Sequence, residues 1–255
     1  MNSAIGLVLS GGGARGIAHL GVLRALDEWG VKFQYVSGTS VGAILGAMYA
    51  NGMRPYEILE VITKTRILRS LRPAWTLRGL LRLDTIHILI EKYIPHNLFS
   101  ELQMNLTVAA TDIQAGRTTY FTSGALIPAL LASSCVPGMF NPVELNGTSY
   151  VDGGIMDNLP ALPIRQHCTL IVGVHCNPIV PVQRATSFKA VIERALLLAI
   201  NGNAVNSRSL CDILIEPPEL GTISTFELAR ARELADIGYR FTIENFKPED
   251  FMRGT

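Results

Sequence analysis

Two glycine-rich turns, each set between an apolar run and a helix-like run, constrain this chain more than any other feature. The first, Gly11-Gly12-Gly13-Ala14-Arg15-Gly16, follows Ile5-Gly6-Leu7-Val8-Leu9-Ser10. The second, Gly38-Thr39-Ser40-Val41-Gly42, follows Phe33-Gln34-Tyr35-Val36. A serine between two glycines at a strand-to-helix elbow is pushed clear of its own backbone, as a nucleophile must be. A glycine-rich loop that opens a helix offers backbone N–H groups to an anion. An exposed serine beside an anion site points to acyl transfer.

With 23 glycines in 255 residues, chance alone yields GxGxxG in roughly one such chain in five and GxSxG in about one in nine. The weight therefore lies in their joint, ordered occurrence. A dinucleotide-binding turn would need the same glycines, but also a carboxylate ending the second strand to hold a ribose. That strand ends instead in Ser37-Gly38-Thr39-Ser40, and Asp27 and Glu28 fall within the intervening helix. A phosphate-binding P-loop fails because no Lys-Ser or Lys-Thr pair closes the glycine run.

At 48% hydrophobic content and a net charge of +1, the chain is expected to be one soluble domain, residues 1–255, with no general attraction to nucleic acid. Cys135, Cys168, Cys176 and Cys211 show no C-x-x-C spacing and no histidine pattern suited to zinc. Buried, reduced thiols in a cytoplasmic protein are the expectation, with no metal and no cofactor. No signal peptide is expected, because the start lacks a basic segment and a long apolar stretch.

Strand-like runs at 5–9, 33–36, 106–110, 118–121, 170–175 and 213–215 alternate with helical patterns. One helix is predicted over 17–29, stopping at Gly30, and a nearly all-apolar one over 41–50, stopping at Gly52. The alternation implies a mainly parallel central sheet with helices on both faces. Asn146-Gly147, between Pro142-Val143-Glu144-Leu145 and Thr148-Ser149-Tyr150-Val151, predicts a hairpin that feeds into Asp152-Gly153-Gly154.

A serine hydroxyl needs a neighbour to take its proton. Of the five histidines, His19 is expected to face out of the first helix, and His87 and His96 to lie in a surface helix and the following loop. His167 has no catalytic placement, and only His175, near a strand end, sits where a base would. Asp152 is the stronger candidate, since a suitably tuned aspartate can itself act as base. Asp157 is the reserve carboxylate.

These blocks resemble the bacterial patatin-like phospholipases, through Gly11 to Gly16, Gly38 to Gly42, Asp152-Gly153-Gly154 and the segment Ala132-Ser133-Ser134-Cys135-Val136-Pro137-Gly138-Met139-Phe140-Asn141-Pro142. The resemblance spans about residues 5–175, and Cys135 stands where a small residue such as alanine is common. It implies a three-layer α/β fold and a lipid acyl-ester hydrolase using a Ser40–Asp152 dyad. By the same resemblance, Gly11, Gly12 and Gly13 would hold the oxyanion. Gly16, Gly38, Gly42, Gly153 and Gly154 would support the turns, and Arg15 would brace the loop or touch a phosphate. Against this stand a helix-surface Arg15, a Ser-His-Asp hydrolase with His175 as base, and a non-catalytic lipid-binding regulatory module.

Residues 64–82 interleave Lys64, Arg66, Arg69, Arg72, Arg78 and Arg82 with leucines and Trp75. Such a mixture suits transient contact with an anionic lipid surface. An ordinary solvated segment packed on the core is the competing expectation.

Overall fold

The computed structural model describes residues 4–64, 84–181, 188–225 and 227–252. The cationic segment singled out above lies, apart from Lys64, outside these described residues. Among the described residues eight strands form one sheet: β1 (Ile5–Leu9), β2 (Tyr35–Thr39), β3 (Asn105–Asp112), β4 (Arg117–Phe121), β5 (Val143–Leu145), β6 (Thr148–Asp152), β7 (Leu170–Val174) and β8 (Ile213–Ile215). The order is β5-β6-β3-β2-β1-β7-β8, with β4 also paired to β3. Strands β3, β2, β1, β7 and β8 run parallel, and β4, β5 and β6 are antiparallel additions.

Side-chain alternation along the central strands builds the layers. Leu7 and Leu9 of β1, with Leu170, Val172 and Val174 of β7, enter the larger apolar cluster. Helices α1 (Ala18–Glu28), α2 (Val41–Ala50), α3 (Pro55–Lys64) and α8 (Ala231–Asn245) cover that face. Val8 and Ile171 point the other way, into a second cluster with Leu159, Ile164 of α6 (Leu162–Arg165) and Ala204 of α7 (Phe188–Ser209). Two further helices, α4 (Asp84–Tyr93) and α5 (Leu126–Ser133), belong to the first face. Both faces of the parallel strands are thus buried, which is why they read as continuous apolar runs. Among the described residues no helix is long and apolar enough to cross a membrane.

Two expectations shift at their edges. Strand β2 begins at Tyr35, because Phe33 turns into the core instead of joining the ladder. The helix expected over 17–29 is preceded by a 3₁₀ turn over Gly13–Ile17, so the glycine loop winds directly into it.

The sheet register decides what meets what. Strand β4 occupies one edge of β3, pairing with Val108 through Asp112. The other edge is shared: β2 ascends along it until Thr39 faces Ala109, and β6 descends until Asp152 faces Ala110. The C-terminal ends of β2 and β6 therefore meet head to head on β3. Clefts of this kind, where strand direction changes at the carboxyl ends of parallel strands, are where open α/β sheets bind ligands.

Candidate active site

Ser40 sits at that junction with φ 54° and ψ −125°, a conformation that L-residues avoid. The turn is held from both sides. The Ser40 N–H donates to Ser133 Oγ at 2.8 Å, and the Ser133 hydroxyl donates to the Ala109 carbonyl at 2.6 Å. A Cβ on Gly42 would lie 2.4 Å from the Leu9 carbonyl oxygen, so only glycine lets α2 start this close to β1. Gly38 lies beneath the α2 amides, Gly16 against Val41, and Gly153 against the Ala109 carbonyl. Replacing Ser133 by alanine strands a buried N–H and a buried carbonyl. The expected loss is about 1–3 kcal/mol of stability, measured by urea unfolding.

Asp152 closes the junction from the other side. Its N–H donates to the Cys135 carbonyl at 2.9 Å, and its own carbonyl accepts from Thr111 Oγ1 at 2.9 Å. Its carboxylate accepts the Gly154 N–H at 2.8 Å, and the Ser40 hydroxyl lies near enough to favour its ionised form. Burial raises its pKa to about 6, against the opposing pull of the nearby Ser40 hydroxyl and the Gly154 N–H. The group is thus ionised at neutral pH and still basic enough to accept a proton.

The glycine loop follows β1 beside this pair. The Ser10 carbonyl accepts from His19 Nε2 (2.8 Å), the Gly11 carbonyl from Asn177 Nδ2 (2.7 Å) and the Gly12 carbonyl from the Arg15 N–H (3.2 Å). The Gly11 N–H donates to the Asn158 carbonyl at 3.1 Å, so it is engaged within the loop. Gly12 and Gly13 differ: neither N–H has an acceptor among the described residues. Gly13 has φ 56°, and a Cβ there would strike the Thr225 carbonyl oxygen at 2.4 Å. Two amide donors beside the serine are left for a ligand.

Arg15 is not a surface arginine. It is 4% exposed, and its Nε donates to the Ile223 carbonyl at 2.6 Å, which braces the loop against the C-terminal segment. His19, expected to face outward, is fully buried: its ring grips Ser10 and lies 3.4 Å from Cys176 Sγ. Burial lowers its pKa to about 4. Helical spacing missed this because His19 lies on the face that packs beneath the β1 exit, where an apolar residue was the simpler expectation.

His175 is also buried, and its Nδ1–H donates to Glu216 at 2.6 Å. Among the described residues it bonds neither Ser40 nor Asp152. Asp157 is buried as well, with its carboxylate accepting Tyr120 Oη at 2.7 Å and Ser207 Oγ at 3.3 Å. It carries the wall of the site instead of facing the serine. His87 and His96 lie at the surface, as expected. Of the cysteines, Cys135, Cys168 and Cys176 are buried, whereas Cys211 is only half-buried. Among the described residues no group of three or more His, Cys, Asp or Glu could hold a metal. Sequence reasoning missed Ser133, Asn158 and Asn177. Ser133 lay in a quoted block, but nothing local says that its hydroxyl ties two strands' ends together.

Comparison with known proteins identifies a family. The family model for patatin-like phospholipase matches residues 7–164. An uncharacterized NTE family protein of Mycobacterium tuberculosis (strain ATCC 25618 / H37Rv) is 37% identical over 163 residues, 63% of this chain and 45% of that protein. A lysophospholipase, NTE1, of Saccharomyces cerevisiae is 30% identical over 181 residues, 67% of this chain and 11% of its own length. The chain thus spans less than half the length of the relatives it matches. Among solved structures, VipD from Legionella pneumophila superposes with a TM-score of 0.57 over 99% of this chain and 67% of its own. At 16% identity, that likeness concerns the fold alone.

Proposed function

Because the chain belongs to the patatin-like phospholipase family, we propose that it hydrolyses lipid acyl esters with Ser40 as nucleophile and Asp152 as base. The observation that carries this is the head-to-head meeting of the β2 and β6 ends, which sets the Ser40 hydroxyl near the Asp152 carboxylate, beside two amides, of Gly12 and Gly13, that have no acceptor among the described residues. Ser40 Oγ attacks the ester carbonyl carbon as its proton passes to Asp152. The Gly12 and Gly13 N–H groups take the oxyanion, and preorganised donors of this kind are worth several kcal/mol each. Collapse expels the alcohol, which leaves with the proton from Asp152. Water, deprotonated by Asp152, then attacks the acyl-serine, and a second collapse frees the fatty acid and restores the hydroxyl. A lysophospholipid is the first substrate to try, since that is the activity in the name of the yeast relative.

The test is labelling by a fluorophosphonate probe, with the adduct mapped by mass spectrometry, alongside hydrolysis of a chromogenic acyl ester. An adduct on Ser40 is expected. Ester turnover without one would pass the reaction to another residue.

The pH profile follows from the base. Asp152 must be ionised to act, and burial lifts its pKa to about 6. We expect kcat/KM to fall tenfold per pH unit below about 6 and to level off above it. The acid limb should vanish from the residual rate of Asp152→Asn but persist in His175→Gln. A limb lost in the histidine variant instead would favour the Ser-His-Asp reading.

A further inference from the structure

In a trans peptide the C=O and N–H point in opposite directions, so whatever grips the Gly11 carbonyl aims the Gly12 N–H. Among the described residues that grip is a single side chain. Asn177, 1% exposed and just beyond the end of β7, donates its Nδ2–H to the Gly11 oxygen at 2.7 Å. Its Oδ1 has no partner among the described residues, although it is buried and would lie 3.2 Å from a Cβ on Gly12. An amide buried with one end unsatisfied costs stability that an apolar side chain would not. What the asparagine adds is direction.

Asn177 is itself held. Its backbone carbonyl accepts Asn201 Nδ2, and Asn201 Oδ1 accepts an Arg208 N–H. Arg208 bonds Glu216 at 3.0 Å, and Glu216 accepts the Nδ1–H of His175. Only Cys176 then separates His175 from Asn177 along the chain, so the network closes on itself. A charged cluster outside the dyad ends, through two asparagines, on one peptide plane of the glycine loop.

We propose that Asn177 is a positioning residue that fixes the Gly11–Gly12 peptide so that the Gly12 N–H faces the oxyanion, with Arg208 and Asn201 holding Asn177 in place. The inference rests on the hydrolase reading above and assigns the His175–Glu216–Arg208 cluster to that site. Asn158 holds the preceding peptide, since its backbone carbonyl takes the Gly11 N–H. Rotation of the Gly11–Gly12 peptide is the failure that the Asn177 side chain prevents.

The test compares Asn177→Asp, which replaces the donor by an oxygen of the same shape, with Asn177→Ala and wild type on a soluble acyl ester. We expect kcat to fall about ten- to hundred-fold with KM within about twofold, because the donor acts on the transition state and not on bound substrate. Affinity for an acyl trifluoromethyl ketone, which forms a tetrahedral adduct on serine, should fall in parallel with kcat, while the unfolding midpoint shifts far less. Arg208→Lys, further along the chain, should show the same signature more weakly, and it serves if the Asn177 variants do not fold. A folded Asn177→Asp with wild-type kcat, or a change in KM alone, would overturn the inference while leaving the hydrolase reading intact. Absence of Ser40-dependent turnover in wild type would overturn both.

Discussion

Replacing Ser40 by alanine is expected to lower ester turnover by at least about 10⁴-fold, because no other group can form the acyl intermediate. The fold should survive. The bond that ties the elbow is the Ser40 N–H to Ser133 Oγ, which alanine keeps, and the side chain itself supports no other wall of the site. Ser40 also stores strain, since φ 54° is costly for any residue with a Cβ, by about 1–3 kcal/mol. Ser40→Gly should therefore be equally inactive yet more stable than wild type, whereas Ser40→Ala should unfold close to the wild-type midpoint. The measurements are chromogenic ester turnover and urea unfolding of the three proteins. Residual turnover in Ser40→Ala above about a hundredth of wild type would move the nucleophile elsewhere.

Asp152→Asn should lower kcat by about 10²–10⁴-fold, the usual worth of a general base. Its effect on stability has the opposite sign. The carboxyl titrates near the ordinary aspartate value of 3.8 when unfolded and near 6 when folded. The folded state therefore holds the proton more tightly, and stability falls as pH rises from about 4 to 6. Above pH 6 the full cost of ionising this buried group is present, about 3 kcal/mol for a two-unit shift. Asparagine removes that charge and still accepts the Gly154 N–H. The variant should thus be the more stable protein at pH 8, with the advantage fading as pH falls towards 4.5. Denaturant melts at the two pH values decide it, and a variant less stable at pH 8 would mean that the carboxylate is not held at a cost. His19 and His175 act in the other direction, because burial lowers both pKa values. Their contribution is present above about 6.5 and is lost as pH falls, so the comparison must be made between variant and wild type at each pH.

A great deal of this was decided by the sequence alone, because it concerns local backbone conformation. Glycines at 38 and 42 around Ser40, and apolar runs closed by turns, are enough to specify a strand, an elbow and a buried helix, and Asn146-Gly147 specifies the β5–β6 hairpin. Family resemblance carried the same four blocks to one chemistry. The meeting of Ser40 with Asp152 was not legible in this way. It exists because β4 takes one edge of β3 and leaves β2 and β6 to share the other, and edge occupancy is a property of the whole sheet. Polar residues were the least legible. The side chains of His19, Arg15, Ser133 and Asn177 are buried because each satisfies a backbone group contributed by another segment, and no local pattern names that partner. Which of the three loop amides stays free is likewise a tertiary matter: Gly11 loses its N–H to the Asn158 carbonyl, and those of Gly12 and Gly13 have no acceptor among the described residues. Chain composition sets what can be buried; the packed structure alone sets which donors have been left unpaired.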